Sequence, residues 1–262
     1  MLISFKKLRF NVGAVLSASL LLLIGSQATA VEANYGDLEA DSVTYRNVMQ
    51  SGDALLHQPA ISGDALSFQP LFSEFKAFSF GGDDDDVTNF LTTILVAKPG
   101  SVLDHITVTT SGSLDLFRLN KEATSATSVR TVIGITATII DYIDASGVTQ
   151  YGANIALSPQ VATVSETQYA GAELRDASWN GATTLDFAAQ AATEAGISGE
   201  MLRVGITVNT RLDAFSESVG TQSINRLGNF DALTLTIAPE PTSAALLLVS
   251  AVACCARRRR GA

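Results

Sequence analysis

The sequence contains one run of adjacent carboxylates that could bind a cation. Asp83, Asp84, Asp85 and Asp86 follow a Gly-Gly pair. Neighbouring carboxylates repel one another, so we expect the run in a solvated loop or around a shared cation such as Ca²⁺. Its spacing lacks the glycine and the terminal glutamate of an EF-hand loop. A plain solvated turn and a weak Ca²⁺ site both stand as interpretations.

The residue types that most often carry catalysis are sparse elsewhere. The two histidines, His57 and His105, lie outside any H-E-x-x-H pattern, and His105 lies in an alternating stretch typical of a structural histidine. The sequence has no G-x-S-x-G elbow, phosphate-binding loop or dinucleotide fingerprint. Both cysteines, Cys254 and Cys255, lie near the C-terminus, so residues 31–238 hold no thiol for a disulfide, a nucleophile or a zinc site. We therefore expect no enzymatic activity.

Two weaker possibilities involve carboxylates and aromatic residues. Asp141 and Glu166 could flank a cleft as the acid and base of a glycoside hydrolase, although a chain rich in acids offers many such pairs. Trp179, the single tryptophan, could form a sugar platform, although a packing role is the favoured interpretation. The alternatives to a structural protein are therefore a carbohydrate- or Ca²⁺-binding module, with Asp83–Asp86 as its cation loop, and a secreted hydrolase.

The N-terminus has the pattern of a secretory signal peptide. Three basic residues occur within the first nine positions, and an apolar stretch follows at residues 12–24. Small residues at Ala28 and Ala30 form an A-x-A cleavage site. We therefore predict that residues 1–30 are a signal peptide read by the Sec export machinery, and that the mature chain begins at Val31.

The C-terminus has three ordered parts. Prolines flank an acid in Pro239, Glu240 and Pro241. They forbid a regular helix or a central strand there and predict an extended, accessible segment. Residues 244–256 are apolar. This run is shorter than the ~20 residues that an untilted helix needs to cross a bilayer. Basic side chains can extend such a span and hold its end in the cytoplasm. The basic residues that follow are Arg257, Arg258, Arg259 and Arg260.

This order of Pro-Glu-Pro, apolar helix and arginine cluster in residues 239–262 resembles a PEP-CTERM sorting tail. The resemblance implies export by a Gram-negative bacterium and processing by an exosortase, a membrane-embedded cysteine transpeptidase. It also implies a transient anchor in the inner membrane, followed by a place at the cell surface or outside the cell. The main functional expectation is a structural protein of the extracellular matrix, with surface polysaccharide as a further partner.

The charge of the central region argues against anionic partners. The whole chain has 17 basic and 26 acidic side chains. Three bases precede residue 31, and four arginines and Glu240 follow residue 238, which leaves 10 basic and 25 acidic residues in 31–238, a net formal charge of −15. Such a body repels nucleic acid and anionic lipid and stays soluble outside the cell.

The pattern of the central region also predicts a β-rich structure. Alternating β-branched and aromatic residues predict strands, most strongly at residues 129–143, and Trp179-Asn180-Gly181 predicts a turn. Asp186 and Gly196 bracket an alanine-rich segment with the caps of one short helix. Further strands are predicted at residues 42–48, 78–80, 87–96, 104–110, 114–119, 153–157, 201–210 and 230–237.

These patterns predict an all-β fold. We expect a β-sandwich or jelly-roll body over residues 31–238 with one short helix, an N-terminal signal peptide and a single C-terminal transmembrane helix. A duplication within the body, residues 51–59 and 62–70, is read as two Gly-Asp turns, each leading into a short strand that proline ends. In this alignment His57 corresponds to Phe68, so we expect an equivalent packing or rim position for it.

Overall fold

The computed structural model describes residues 31–57, 59–69, 75–118, 126–168, 175–217, 221–228 and 233–241. The predicted signal peptide with Ala28 and Ala30 lies outside the described residues. So do the predicted apolar helix at 244–256 and the cluster Arg257–Arg260. Among the helices of the described residues, none has the length and apolar character needed to span a bilayer.

The described residues form fifteen strands and one helix. In chain order they are β1 (Val31–Glu39), β2 (Val43–Gly52), β3 (Ala60–Ser62), β4 (Ala65–Phe68), β5 (Lys76–Phe80), β6 (Asp84–Ala97), β7 (Ser101–Arg118), β8 (Thr127–Asp144), β9 (Thr149–Gln150), β10 (Ile155–Ala156), β11 (Gln160–Gln168), β12 (Arg175–Asp186), α1 (Phe187–Ala195), β13 (Gly199–Ser216), β14 (Thr221–Leu227) and β15 (Leu233–Pro241).

The strands build two packed layers, and every described pairing is antiparallel. The front layer has the order β1-β2-β6-β13-β8, with β9, β10 and β11 paired along the far side of β8. In the back layer β7 is central: β12 pairs with one side, and β15 and β14 share the other. β4 and β3 extend the sheet beyond β15, and β5 extends it beyond β14. One pair, Met201 with Leu103, joins β13 to β7, so the sandwich is nearly closed at that corner.

The period-2 pattern of the sequence explains the two layers. Along β8, buried residues such as Ile133, Ile135 and Ile139 alternate with more exposed ones. Successive side chains of a strand point to opposite faces, so this alternation buries one face and leaves the other in solvent. The core is the cluster of aliphatic and aromatic side chains between the layers. The predicted all-β sandwich is therefore confirmed.

Buried polar groups connect the layers at two places. Asn225 of β14 is fully buried, and its amide nitrogen donates to the Arg130 carbonyl oxygen at 3.1 Å and to Thr131 Oγ1 at 3.1 Å across the core. Trp179 Nε1 donates to Asn225 Oδ1 at 3.1 Å. Elsewhere, Tyr45 Oη of β2 donates to the carbonyl oxygen of Asp64 at 2.6 Å. These bonds satisfy polar groups that would otherwise be costly to bury.

The helix prediction is confirmed in detail. Asp186 is the N-cap of α1, where its side chain accepts a hydrogen bond from the Ala189 backbone N–H at 2.7 Å. Gly196 ends the helix in the left-handed conformation, with φ of 67°. Both caps satisfy backbone groups that the helix cannot pair internally.

Three sequence predictions about the body are wrong. Trp179-Asn180-Gly181 is no turn: it lies in the middle of β12, paired with residues 110–112. The two strands predicted at 104–110 and 114–119 are one strand, β7, of 18 residues. The first copy of the duplication forms no strand like β4, and its His57 is exposed whereas Phe68 is fully buried.

The packing of Trp179 gives a stability prediction. A Cβ on Gly112 would overlap the Trp179 ring and the Arg226 carbonyl oxygen. We expect Gly112→Ala to lower the free energy of unfolding by about 1–3 kcal/mol, because overpacking forces neighbours out of place. Gly134→Ala is the control, since its Cβ would meet nothing closer than 3.9 Å. Denaturant unfolding followed by tryptophan fluorescence measures both, and equal stability of the two variants would contradict this packing.

Candidate functional site

The strand geometry separates the four aspartates of residues 83–86. β6 begins at Asp84, so alternate side chains of the run point to opposite faces. Asp85 Oδ2 accepts a hydrogen bond from the Phe78 backbone N–H at 2.7 Å, at the edge of the back layer. Asp84 and Asp86 lie on the outer surface of the front layer, opposite Phe215 and Asp213 of β13.

This arrangement changes the interpretation of the acidic run. The four aspartates are exposed to solvent as expected, but Asp84, Asp85 and Asp86 belong to a strand and not to a loop. The alternation of the strand relieves their repulsion. Within the part of the chain that the structure describes, no three His, Cys, Asp or Glu residues form a group that could hold a metal ion. Binding of Ca²⁺ at Asp83–Asp86 stays a prediction.

The same surface carries an ion-pair cluster that spans three strands. Asp213 of β13 is the centre, with its Oδ2 2.7 Å from Arg130 Nε of β8 and its Oδ1 2.5 Å from Arg211 Nε. Arg211 Nε also lies 3.6 Å from Asp86 Oδ2 of β6. We name these four residues the Arg-Asp cluster.

The oppositely charged side chains of the Arg-Asp cluster attract one another. The hydrogen bond to Asp213 is the main cause of a raised pKa for Arg211, and the nearby Asp86 charge adds to it. The Asp213 side chain is only 18% exposed, whereas both arginine side chains are about half exposed. Each arginine pairs with Asp213 through Nε, and because a guanidinium group has five N–H donors it can donate further hydrogen bonds.

The Arg-Asp cluster lies in a cleft of about 410 Å³ on the outer surface of the front layer. Phe215, which is 43% exposed, forms part of its wall. Strands β8 and β11, on the side of β13 away from β6, contribute hydroxyl groups. The cleft therefore combines fixed charges, hydroxyls and one aromatic ring, and its hydroxyl residues are Ser128, Ser165 and Thr167.

A larger groove of about 920 Å³ lies beside β1. It is lined mainly by apolar groups, with the exposed His57 among its lining residues, and Tyr35 Oη in it donates to the Leu56 carbonyl oxygen at 2.7 Å. The hydrogen bond described in this groove thus stabilises the fold. We take the smaller cleft as the candidate site because only it combines paired charges with an exposed ring.

The other residues singled out in the sequence have structural surroundings or lie apart. His105 Nδ1 lies 2.6 Å from Asp104 Oδ2 on β7, a local pair within one strand. Glu166 pairs with Val129, twelve positions along β8 from Asp141, which places the two acids about 40 Å apart at ~3.3 Å per residue. They cannot act together as an acid and base. Trp179 is 6% exposed, so it packs in the core as favoured and forms no sugar platform.

The Pro-Glu-Pro segment continues the last strand. Pro239, Glu240 and Pro241 of β15 pair with residues 101–103 of β7 after a register shift at Ala238. β4 pairs with β15 only as far as Thr236, so the described pairing of the triplet is one-sided. Proline lacks an N–H and is tolerated at such positions. The extended backbone predicted for the triplet is therefore observed.

Four residues of the cleft were not predicted from the sequence: Arg130, Arg211, Asp213 and Phe215. Arg211, Asp213 and Phe215 alternate along β13, a spacing that places them on one face of a strand. That pattern was available in the sequence. The pairing of β8 and β6 with β13, which brings Arg130 and Asp86 to the same place, was not.

Comparison with known proteins yields structural neighbours only. No protein-family model matches the chain, and no curated protein matches it. Tailspike protein 4 of bacteriophage CBA120, in its enzymatically active domain, matches over 80% of this chain at 9% identity and a TM-score of 0.15, and the match spans 20% of the tailspike chain. TmCBM61 in complex with beta-1,4-galactotriose matches over 82% of this chain and 92% of its own, with 11% identity and a TM-score of 0.16.

A family 29 carbohydrate-binding module from Piromyces equi matches over 80% of this chain and 92% of its own, with 6% identity and a TM-score of 0.17. TM-scores this low carry no argument about the present chain.

The turn after β8 contains a carboxylate with a strongly lowered pKa. Asp144 accepts hydrogen bonds from Ser146 Oγ at 2.5 Å, from Gln150 Nε2 at 2.8 Å and from the Val148 N–H at 3.0 Å. These bonds, led by that of Ser146, lower the pKa of Asp144 to about 2 from its ordinary 3.8. They favour the charged form and so hold the turn in shape.

We predict that the Asp144 carboxyl titrates near pH 2 in an NMR titration. A lowered pKa means that the bonds contribute fully above pH 3.8 and are lost as pH falls through about 2. Ser146→Ala should raise the midpoint toward 3.8, because it removes the leading cause. A native midpoint of 3.8, or no response to Ser146→Ala, would show that the turn is not organised around this carboxylate.

Proposed function

We propose that this chain is an exported, non-catalytic β-sandwich that binds polysaccharide through the front-layer cleft. The observation that carries the proposal is the Arg-Asp cluster beside the exposed ring of Phe215. Four side chains fixed by mutual ion pairs need little ordering when a ligand arrives, and preorganisation is a main source of affinity. Asp86 and Asp213 are held in ion pairs with the arginines, which favours a binding role for these carboxylates over acid and base roles.

The cleft offers the groups that a sugar requires. A sugar ring has hydroxyls that donate and accept hydrogen bonds, and an apolar C–H face. Guanidinium groups donate to hydroxyl oxygens, carboxylates such as Asp86 accept from hydroxyls, and Ser165 can do both. Phe215 supplies a flat apolar surface for the C–H face. Few polar groups around an apolar contact are typical of ligand sites.

The charge of the cleft favours an uncharged glycan. Its described lining has the carboxylates of Asp84, Asp86 and Asp213 against the bases Arg130 and Arg211. Residues 31–238 have a net formal charge of −15. The negative charge of the body and of the cleft would repel an anionic polymer. The ligand class proposed is therefore a neutral polysaccharide.

Export supports the same function. The A-x-A site at Ala28 and Ala30 and the resemblance of residues 239–262 to a PEP-CTERM tail are the grounds for proposing passage through Sec and processing by an exosortase. The chain would be anchored briefly in the inner membrane and then held at the cell surface or in the matrix. Binding a matrix polysaccharide would give the exported body its structural role.

Variants of exposed residues test the cleft. We expect Phe215→Ala to weaken binding of a neutral polysaccharide at least about tenfold, as expected for loss of a central contact worth about 1.4 kcal/mol. Phe90→Ala is the matched control, because Phe90 is equally exposed on the same layer but does not line the cleft. Isothermal titration against soluble neutral and anionic glycans provides the measurement. Equal losses in the two variants, or binding of anionic glycans alone, would refute the proposal.

Mass spectrometry of the mature protein tests the export route. We expect an N-terminus at Val31 and a C-terminus at or near Pro239–Pro241, without the arginines at 257–260. Deleting those arginines should reduce processing, because they fix the tail in the membrane. Recovery of the full chain from the cytosol, with both ends intact, would rule this route out.

A further inference from the structure

The back layer has a second surface with exposed aromatic rings. On β5, Phe78 is 42% exposed and Phe80 is 51% exposed, whereas Ala77 and Ser79, which alternate with them, are buried. The rings are two positions apart on one face of a strand, a spacing of roughly 7 Å. Burial does not explain them, since both face solvent on the side of the sandwich opposite the Arg-Asp cluster.

The strand register extends this surface across β14 and β7. Gln222 lies opposite Phe80, and Ile224 lies opposite Phe78. On the other side of β14, Phe117 lies opposite Gln222. Both Ile224 and Phe117 are half-buried. The rings therefore border a continuous surface that contains one further aromatic residue and one amide, which can both donate and accept hydrogen bonds.

Charged side chains on this surface are held in pairs. Arg226 Nη2 lies 3.1 Å from Asp115 Oδ2, and Arg226 Nε donates to Ser113 Oγ at 2.7 Å. Asp176 lies opposite Asp115 on β12. Burial raises the pKa of Asp115, which Arg226 lowers and Asp176 raises further. Lys76 Nζ lies 5.6 Å from the Phe78 ring centroid, within cation–π distance.

The charge balance selects the occupant of this surface. Around the rings, the described side chains of Lys76 and Arg226 carry two positive charges and those of Asp115 and Asp176 carry two negative charges, so this part of the surface is formally neutral. An anionic membrane or nucleic acid needs a basic surface, which the strongly acidic body lacks. An uncharged chain that presents hydroxyls and apolar C–H faces leaves no charge uncompensated. Such an uncharged chain also covers the rings of Phe78 and Phe80.

We propose that the outer surface of β5, β14, β7 and β12 is a second glycan-binding surface, so that one molecule links two neutral polysaccharide chains. The ligand class rests on the proposed function of the cleft, whereas the surface itself rests on the exposed rings and the paired charges. The two layers of a sandwich are about 10 Å apart, and their outer faces point in opposite directions. One chain cannot occupy both sites at once without wrapping around the body.

Linking has a consequence that single-site binding lacks. A protein with two opposed sites joins polysaccharide chains into a network, and attachment at one site raises the effective concentration at the other. The body would then act as a cross-link of a matrix. This gives a physical mechanism for the structural role proposed above.

Precipitation of a soluble neutral polysaccharide by the purified full chain tests the proposal. We compare the native protein with Phe78→Ala/Phe80→Ala, with Phe215→Ala and with the control Phe90→Ala, all at exposed positions that leave the core intact. Native protein and control should precipitate the glycan. Each site variant should still bind, with about half the glycan per protein by titration, but should precipitate none.

The outcomes separate this proposal from the function of the cleft. If Phe78→Ala/Phe80→Ala precipitates and binds glycan as the native protein does, the second surface is refuted while the cleft stands. If Phe215→Ala abolishes all binding, the back surface binds no glycan. If the native protein binds no neutral glycan, both proposals fail. A dimer that Phe78→Ala/Phe80→Ala converts to a monomer would identify the surface as a contact between copies, and would overturn the proposal.

Discussion

The fully buried amide of Asn225 fixes the two layers relative to each other. Its nitrogen donates to the Arg130 carbonyl oxygen and to Thr131 Oγ1, and its oxygen accepts from Trp179 Nε1. A buried amide without partners costs about 1–3 kcal/mol, so sliding one layer by a residue would lose these bonds and expose core side chains. Asn225 therefore sets the register on which the surfaces depend.

The same contact connects the interior with both proposed binding surfaces. The backbone of Arg130 is held by Asn225 from inside, while its side chain reaches Asp213 on the outer surface of the front layer. On β14, Ile224 and Arg226 flank Asn225 in sequence and point outward on the back layer. Because strand side chains alternate, one inward residue orients neighbours on two opposite surfaces. A rigid core contact thus holds the ion pairs of both surfaces in place, which is what a non-catalytic binding protein requires.

The sequence predicted those features that local chemistry determines. The alternation in β8 and the caps of α1 at Asp186 and Gly196 are local, and both were predicted. The turn predicted at Gly181 is wrong because glycine next to asparagine usually marks a turn, whereas here the glycine allows close packing. A Cβ at this position would lie 2.6 Å from Ile133 Cδ1 of the opposite layer. The Arg-Asp cluster joins residues 86, 130, 211 and 213 through strand pairing, so no local pattern could reveal it. Non-local register is what a single sequence leaves undetermined.

The position of β15 connects the body to the proposed route of export. β15 lies between β7 and β4, and its Leu235 carbonyl oxygen lies 3.5 Å from Tyr45 Oη of the front layer. Processing at or beyond Pro239 removes at most the one-sided pairing with residues 101–103, and leaves the two-sided part of the strand intact. Neither the Asn225 contact nor either aromatic surface involves residues beyond 238. A tail can therefore be cut from this body without loss of the register that positions its binding groups, which makes a temporary anchor compatible with a rigid exported product.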